Sequence, residues 1–529
     1  MKKILTTIAL ATMMSAGFTS CSDFLEQPAL GQENLDTYFQ TEEECLNQIT
    51  GCYQSIFYDD WWQIQRFVVL GDMCTDDMWM GNTTQDAGDW RDLSHYTGNG
   101  QTECTQNYWQ YRYKGILRCN VCISRIAESP ISNETLKNRL IAEAKFLRAY
   151  FYFDLIRNFG GVPIILTMAM PEDVKGITRS SVSDSYAQVE KDLLEAIPYL
   201  PKRSEYAESD LGRATKGAAQ GILAKVYLYQ NKYTDAEKQL SEIVISNEYE
   251  LLEDFGNVWS IEYNNSKESL FEVQTNEMLE YNMGQRISVV CGSRDDSGWS
   301  WGLPTSNLEN AFVKAGDTER LKWTIIKHNA TEVPGDDTWG VDNPYIITPD
   351  KHKSARVTRK LYIPMEKRPS PYDAPHIPLN YRLLRYADVL LMYAEVNNAL
   401  NNDQDARKYL NMVRKRVGLA DVTSSGNELR DAIRLERRLE LALENNRLYD
   451  LRRWTDDNGK KAICNIMGPN GTFVKYNLET STDEYELENQ KENSNKGYYF
   501  REDRDLVFPI PHSEITMSEG SIEQNPNYN

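Results

Sequence analysis

The sequence has 529 residues, 41% hydrophobic and 26% charged, a balance that excludes an intrinsically disordered chain and leaves room for a large core. With 78 Asp and Glu against 58 Lys and Arg the net charge is −20, which excludes a nucleic-acid partner, because such binders need basic faces. The same field disfavours a heavily sulfated substrate, while leaving room for a local basic pocket.

Residues 1–20 read as a secretory signal. Lys2 and Lys3 precede an apolar stretch from Ile4 to about Phe18. That stretch is shorter than the about 20 apolar residues that span a bilayer, and no other run of that length follows. Thr19 and Ser20 lead to Cys21, where a bacterial lipoprotein would be cleaved and lipidated. Residues 21–40 read as the lipidated cysteine and a tether, and 41–529 as a single domain. Thr41 caps the first helix, with Glu42, Glu43 and Glu44 in its first turn.

Eight cysteines follow Cys21. Cys119 and Cys122 form a C-x-x-C, but in helical surroundings without a βαβ pattern, so buried free thiols are expected. No second C-x-x-C or His pair points to zinc, and neither a metal nor a cofactor is expected.

Leu140, Ala144, Leu147, Phe151 and Leu155 recur at helical spacing, and Gly160, Gly161 and Pro163 end that helix. Two later stretches share a pattern: Ala224, Ala236, Leu240 and Ile243, then Ala394, Ala406, Leu410 and Val413. Small residues so placed across a short turn let two antiparallel helices approach closely, as in tetratricopeptide (TPR) pairs. Between them, about 60–110, 255–310 and 330–380 are poor in helix signal, and long irregular loops are usually functional. Glu436, Glu440 and Glu444, beside Arg434, Arg437 and Arg438, read as a solvated or internally paired face.

No H-E-x-x-H, G-x-S-x-G, Walker or dinucleotide motif is present, and the five histidines are scattered singly. Asp72, Asp76 and Asp77 form an acidic cluster that could serve glycoside hydrolysis or merely bond a loop. The placing of tryptophan stands out. Trp79 and Trp90 lie in a Gly/Asn/Asp-rich loop, Trp299 and Trp301 in "CGSRDDSGWSWGLP", and Trp339 with Tyr345 in "VPGDDTWGVDNPY". An indole face stacks on the C–H face of a sugar ring, and nearby Asn82, Arg294 and Asp296 could bond its hydroxyls. Local core under a long loop is the competing reading for each of them.

Five segments carry a family resemblance: "EAKFLRAYFYFDLIRNFGGVPI", "LGRATKGAAQGILAKVYLY", "YRLLRYADVLLMYAEVNNAL", "LERRLELALENNRLYDLRRW" and "LVFPIPHSEITMSEGSIEQNPNY". In this order they resemble the SusD/RagB family of Bacteroidetes outer-membrane lipoproteins across the whole mature chain. The resemblance implies an all-α fold with four TPR-like helix pairs scaffolding irregular loops. It also divides the chain into an N-terminal part of about 21–225 and a C-terminal part of about 265–529. It implies a non-catalytic oligosaccharide binder, held on the outer membrane by its lipid, facing the cell exterior, as the lid of a SusC-like TonB-dependent transporter. Its sugar site would be an aromatic arc from the Trp79/Trp90 loop and the Trp299/Trp301 loop. The RagB side of the family leaves a peptide ligand open, and an enzyme using Asp76 or Asp77 is the remaining alternative.

Overall fold

The computed structural model describes residues 38–57, 69–81, 88–168, 175–479, 484–486 and 491–528. The signal segment, Cys21, most of the tether and Asn82 lie outside them. Helix α1 (Glu42–Gln54) starts where expected: Thr41 Oγ1 accepts from the Glu44 N–H at 3.2 Å, and the Glu44 carboxylate accepts from the Thr41 N–H at 3.0 Å. Then come α2 (Gly88–His95), α3 (Glu103–Glu128), α4 (Glu134–Phe159), α5 (Val182–Ala196), α6 (Lys216–Tyr229), α7 (Tyr233–Ser246) and α8 (Ser306–Ala315). The C-terminal part adds α9 (Tyr386–Ala399), α10 (Asp403–Arg416), α11 (Gly426–Glu440) and α12 (Arg447–Arg453).

The helices form a continuous array. Short connections fold α3 on α4, α6 on α7 and α9 on α10, while α5 joins α4 to α6 and α7 packs on α9. The repeated alanines act as their spacing predicts. Ala224, Ala236, Ala394 and Ala406 are all fully buried, so each pair of helices meets through methyl groups. Both tight turns use a left-handed asparagine, Asn231 and Asn401, a conformation Asn tolerates better than most residues. Helix α4 is buried on most of its surface, and the polar side chains it buries, Glu143, Arg148 and Asp154 among them, are paired.

The segments expected to be irregular are not wholly so. Helix α2 and the start of α3 fall within 60–110. Three two-stranded antiparallel sheets also cross these regions: β1 (Met78–Trp79) with β3 (Leu303–Pro304), β2 (Ser269–Val273) with β6 (Tyr381–Arg385), and β4 (Ile325–Lys327) with β5 (Arg356–Thr358). Strands of two to five residues are too short for alternation to show in a sequence.

The glutamate ladder of α11 and the turn that follows it is internally paired and buried, not solvated. Glu436 meets Arg320 at 2.6 Å and Arg414 at 2.7 Å. Glu440 meets Arg320 at 3.0 Å and Arg385 at 2.5 Å, and also pairs with Arg416. Glu444 meets Lys360 at 2.6 Å and Arg385 at 2.8 Å. Against the cost of burial, the neighbouring cations hold Glu440 and Glu444 below the usual carboxylate range, and the network ties α11 to β6, α10 and the segment after β5.

The eight cysteines from Cys45 onward are free thiols, seven of them buried. Cys119 and Cys122 sit inside α3. The Cys52 and Cys122 sulfurs are 3.5 Å apart, and that contact together with burial raises the Cys122 thiol well above its ordinary pKa. Among the described residues no helix is long and apolar enough to cross a membrane, and no cluster of His, Cys, Asp and Glu is arranged to hold a metal.

Candidate functional site

The early and middle loops meet through β1 and β3. Met78 pairs with Pro304 and Trp79 with Leu303. The Thr305 N–H donates to Asp77 O at 3.0 Å, and its hydroxyl to Asp76 O at 2.6 Å. Three indoles then run in sequence. Trp90, on α2, lies edge to face with Trp301 at 5.6 Å between centroids, and Trp301 lies edge to face with Trp299 at 5.3 Å. Trp90 is buried, whereas Trp299 and Trp301 are half-buried.

The loop carrying the outer two is folded on itself by its own backbone. The Trp299 N–H donates to Val289 O, Ser300 N–H to Gly292 O and Trp301 N–H to Val290 O, each at 2.9 Å. The two limbs approach so closely that a Cβ on Gly298 would lie 2.2 Å from the carbonyl carbon of Gly292. Glycine here serves close backbone approach. Ser297 and Ser300, on either side of Trp299, hold left-handed φ of 61° and 59°. Such strain persists only where the surroundings impose it.

One of those surroundings is His352, buried beneath the loop. Its Nδ1 is 2.8 Å from Thr348 O, and its Nε2 is 3.0 Å from the Ser293 hydroxyl and 3.2 Å from the Arg294 N. Accepting the Arg294 N–H requires Nε2 to be unprotonated, which assigns the proton to Nδ1. Burial lowers the His352 pKa, in agreement with that neutral form. On its other side Trp299 packs on a small apolar cluster of Val289, Ile363, Ala374, Ile377 and Leu379. Its remaining surface and that of Trp301 line an open depression of about 610 Å³, with Arg294, Gly298 and Lys351 as the other lining residues among those described. That volume is within the ordinary range of small-ligand sites.

The other expected residues are placed differently. Trp79 is 3% exposed, donates its Nε1–H to Glu486 at 2.8 Å and packs on Phe473 beneath the Lys496 ammonium. It offers no face to a ligand and is local core. Trp90 is likewise not a platform but the buried foot on which Trp301 leans. Asp296 is committed to Arg368, through bonds of 2.7 and 2.6 Å, and accepts from the Tyr345 hydroxyl at 3.3 Å. Trp339 stacks edge-on with Tyr345 at 4.7 Å and donates to the Tyr362 hydroxyl at 2.9 Å, in a neighbouring cluster that does not line the depression. Asp76 and Asp77 are buried. Arg447 grips Asp76 through two bonds of 3.0 Å, and Arg438 grips Asp77 at 2.9 and 2.6 Å. Sequence reasoning missed Lys351 and His352, which lie in "PDKHK" without any motif.

The comparisons with known proteins agree with this architecture. Residues 256–528 match the SusD family model, and residues 23–228 match a model described as starch-binding associating with outer membrane. SusD-like protein P2 of Formosa agariphila is 26% identical, over 96% of this chain and 97% of its own. A laminarin-binding SusD-like protein of known structure is 26% identical with a TM-score of 0.72, over 92% of this chain and 100% of its own. A SusD-like protein of Bacteroides fragilis is 25% identical with a TM-score of 0.74, over 93% and 98% of the two chains. With more than half of its residues inside the SusD family model and this helical array behind it, the chain belongs to the SusD/RagB family.

Proposed function

We propose that this protein is a glycan-binding lipoprotein of the outer membrane. In this reading it is anchored through Cys21, faces the cell exterior and acts as the lid of a SusC-like TonB-dependent transporter without catalysing a reaction. The observation that carries the reading is the pair Trp299 and Trp301, half-exposed on a loop held rigid from behind and facing an open depression. Exposed hydroxyls gain little net energy from hydrogen bonds that replace bonds to water. A preorganised apolar plane is therefore what makes an oligosaccharide worth binding, and stacking on a rigid indole supplies it at low entropic cost. The structurally similar laminarin-binding protein supports a carbohydrate ligand, and the model matching 23–228 supports an outer-membrane setting. The burial of Asp76 and Asp77 in ion pairs with Arg447 and Arg438 argues against their use in hydrolysis.

Affinity electrophoresis through gels containing single polysaccharides, followed by assay for new reducing ends, tests this reading. Retardation by at least one glycan without cleavage, weakened by Trp299→Ala, is the expected result. No retardation by any glycan refutes it, and new reducing ends would replace it with an enzyme.

A further inference from the structure

We infer that His352 is the positioning residue of the tryptophan loop, and that a proton added to its ring loosens the seat of Trp299 and Trp301, so that binding on them weakens in acid. The consequence for binding rests on the glycan reading; the loosening of the loop does not.

The geometry turns on one nitrogen. Two consecutive residues of the loop aim a donor at His352 Nε2: the Ser293 hydroxyl at 3.0 Å and the Arg294 N–H at 3.2 Å. The other ring nitrogen faces out of the loop, donating to Thr348 O at 2.8 Å. The ring is therefore a strut between the turn at 348–352 and the base of the loop. From that base the bonds run on to the indoles. The Arg294 N–H is shared with Ser300 Oγ at 3.1 Å, Arg294 Nε donates to the Trp299 carbonyl at 2.9 Å, and the Ser293 carbonyl accepts from the Gly298 N–H at 2.7 Å. Ser297 and Ser300 are left-handed on either side of Trp299, so this conformation has to be imposed, and His352 is part of what imposes it.

A proton on Nε2 turns the acceptor into a donor that faces two donors. The Ser293 hydroxyl can rotate to accept, although it already accepts from the Asp295 N–H at 3.1 Å. The Arg294 N–H cannot turn. The ring is 2% exposed, and a buried group cannot exchange a lost partner for bulk water. Among the described residues three charged groups act on it. Burial is the largest influence and opposes the imidazolium, as do the like charges of Lys351 and Arg294, while the Asp295 carboxylate, 3.8 Å from Nδ1, favours it. The balance lowers the His352 pKa. A histidine that protonates less readily in the closed loop than in the open one favours closure above its ordinary value of about 6.5 and withdraws that support as pH falls below it. Asp295 does not titrate in that window: against the cost of burial, its bonds to Lys351 and Thr348 hold it below the usual carboxylate range.

Hydrogen exchange on the mature chain, read by mass spectrometry and normalised to the intrinsic rate at each pH, tests the loop without a ligand. Between about pH 7.5 and about pH 5 the peptide spanning 289–303 should lose protection about fivefold, the change one net hydrogen bond is worth, while α4 keeps its own. His352→Gln and His352→Asn, which cannot take up the proton, should each abolish that step. The Asn variant keeps a donor for Thr348 O and serves where the Gln variant does not fold. Affinity gels of laminarin, starch and mannan at the same two pH values read the consequence. A polysaccharide that retards the parent at the higher pH should retard it less at the lower, and should retard a His352 variant equally at both. Equal loop protection at both pH values in the parent, or a step that survives in the variants, overturns the inference. A step in exchange with unchanged retardation overturns its link to binding. Absence of retardation by every gel counts against the glycan reading, and the exchange result still decides the role of His352.

Discussion

Truncating the three indoles one at a time should separate binding from stability along a single contact chain. Trp90→Ala removes a ring that is 4% exposed, and emptying a core tryptophan site costs about 3–5 kcal/mol. Trp301→Ala removes a half-buried ring that contacts both neighbours, at 5.6 and 5.3 Å. Each edge-to-face pair contributes about 0.5–1.5 kcal/mol beyond burial, so the loss should be about 2–3 kcal/mol. Among the described contacts Trp299→Ala breaks the outer pair, and with its partial packing on the cluster of Val289 and Ile377 the cost should be about 1–2 kcal/mol. Binding should run the other way. Trp299→Ala should weaken a retained oligosaccharide about tenfold, equivalent to about 1.4 kcal/mol, because it deletes stacking surface while the backbone bonds of the loop remain. Trp90→Ala, judged at a temperature where it is folded, should weaken binding less than either. Denaturant melts and calorimetric titrations on all three proteins make the comparison. Equal stability losses, or normal affinity in Trp299→Ala, would refute the division into buried foot and exposed platform.

The glutamate network predicts that Arg385→Ala lowers stability by about 3–5 kcal/mol in urea melts, since Glu268, Glu440 and Glu444 would each lose one of the cations that offset their buried charge. Asp72 is buried, accepts from the Asn445 N–H at 2.6 Å, and is pushed by burial up to about 8. A carboxyl raised in the folded state stabilises below its unfolded pKa and loses that contribution as pH climbs toward 8, so Asp72→Asn should flatten the stability profile between pH 4 and 8 relative to the parent. Cys21→Ala should release the protein from the membrane fraction, and whole-cell protease accessibility should vanish with it. Mild-detergent extraction of the parent protein should co-purify a partner of transporter size, whereas recovery of the protein alone would count against a lid.

The scaffold was legible because its signals are local. The alanine spacing of Ala224/Ala236 and Ala394/Ala406 spans one helix hairpin, and Thr41 and Glu44 are three residues apart, so periodicity and capping rules reach them. The site was legible only as chemistry. Trp79 and Trp299 sit in similar Gly- and Asp-rich contexts, yet one is core and the other faces a depression. The difference comes from Glu486, 407 positions from Trp79 in the chain, and from Phe473 and Lys496, contacts no local pattern encodes. The ladder of Glu436, Glu440 and Glu444 presents the same difficulty: its spacing marks one helix face, but Arg320, 120 residues from Glu440, decides that the face is inside. Asp296 shows the consequence for function. Its type suits a sugar hydroxyl as well as any neighbour, but Arg368, 72 residues on, already holds both its oxygens. With Asp295 likewise drawn to Thr348 and Lys351, the cation Arg294 stays on the rim beside Trp299. Residue type sets what a loop side chain can bind, and distant partners subtract from that set. On this rim Asp295 is held by Lys351 and Asp296 by Arg368, so neither acid is the hydroxyl acceptor its type suggests.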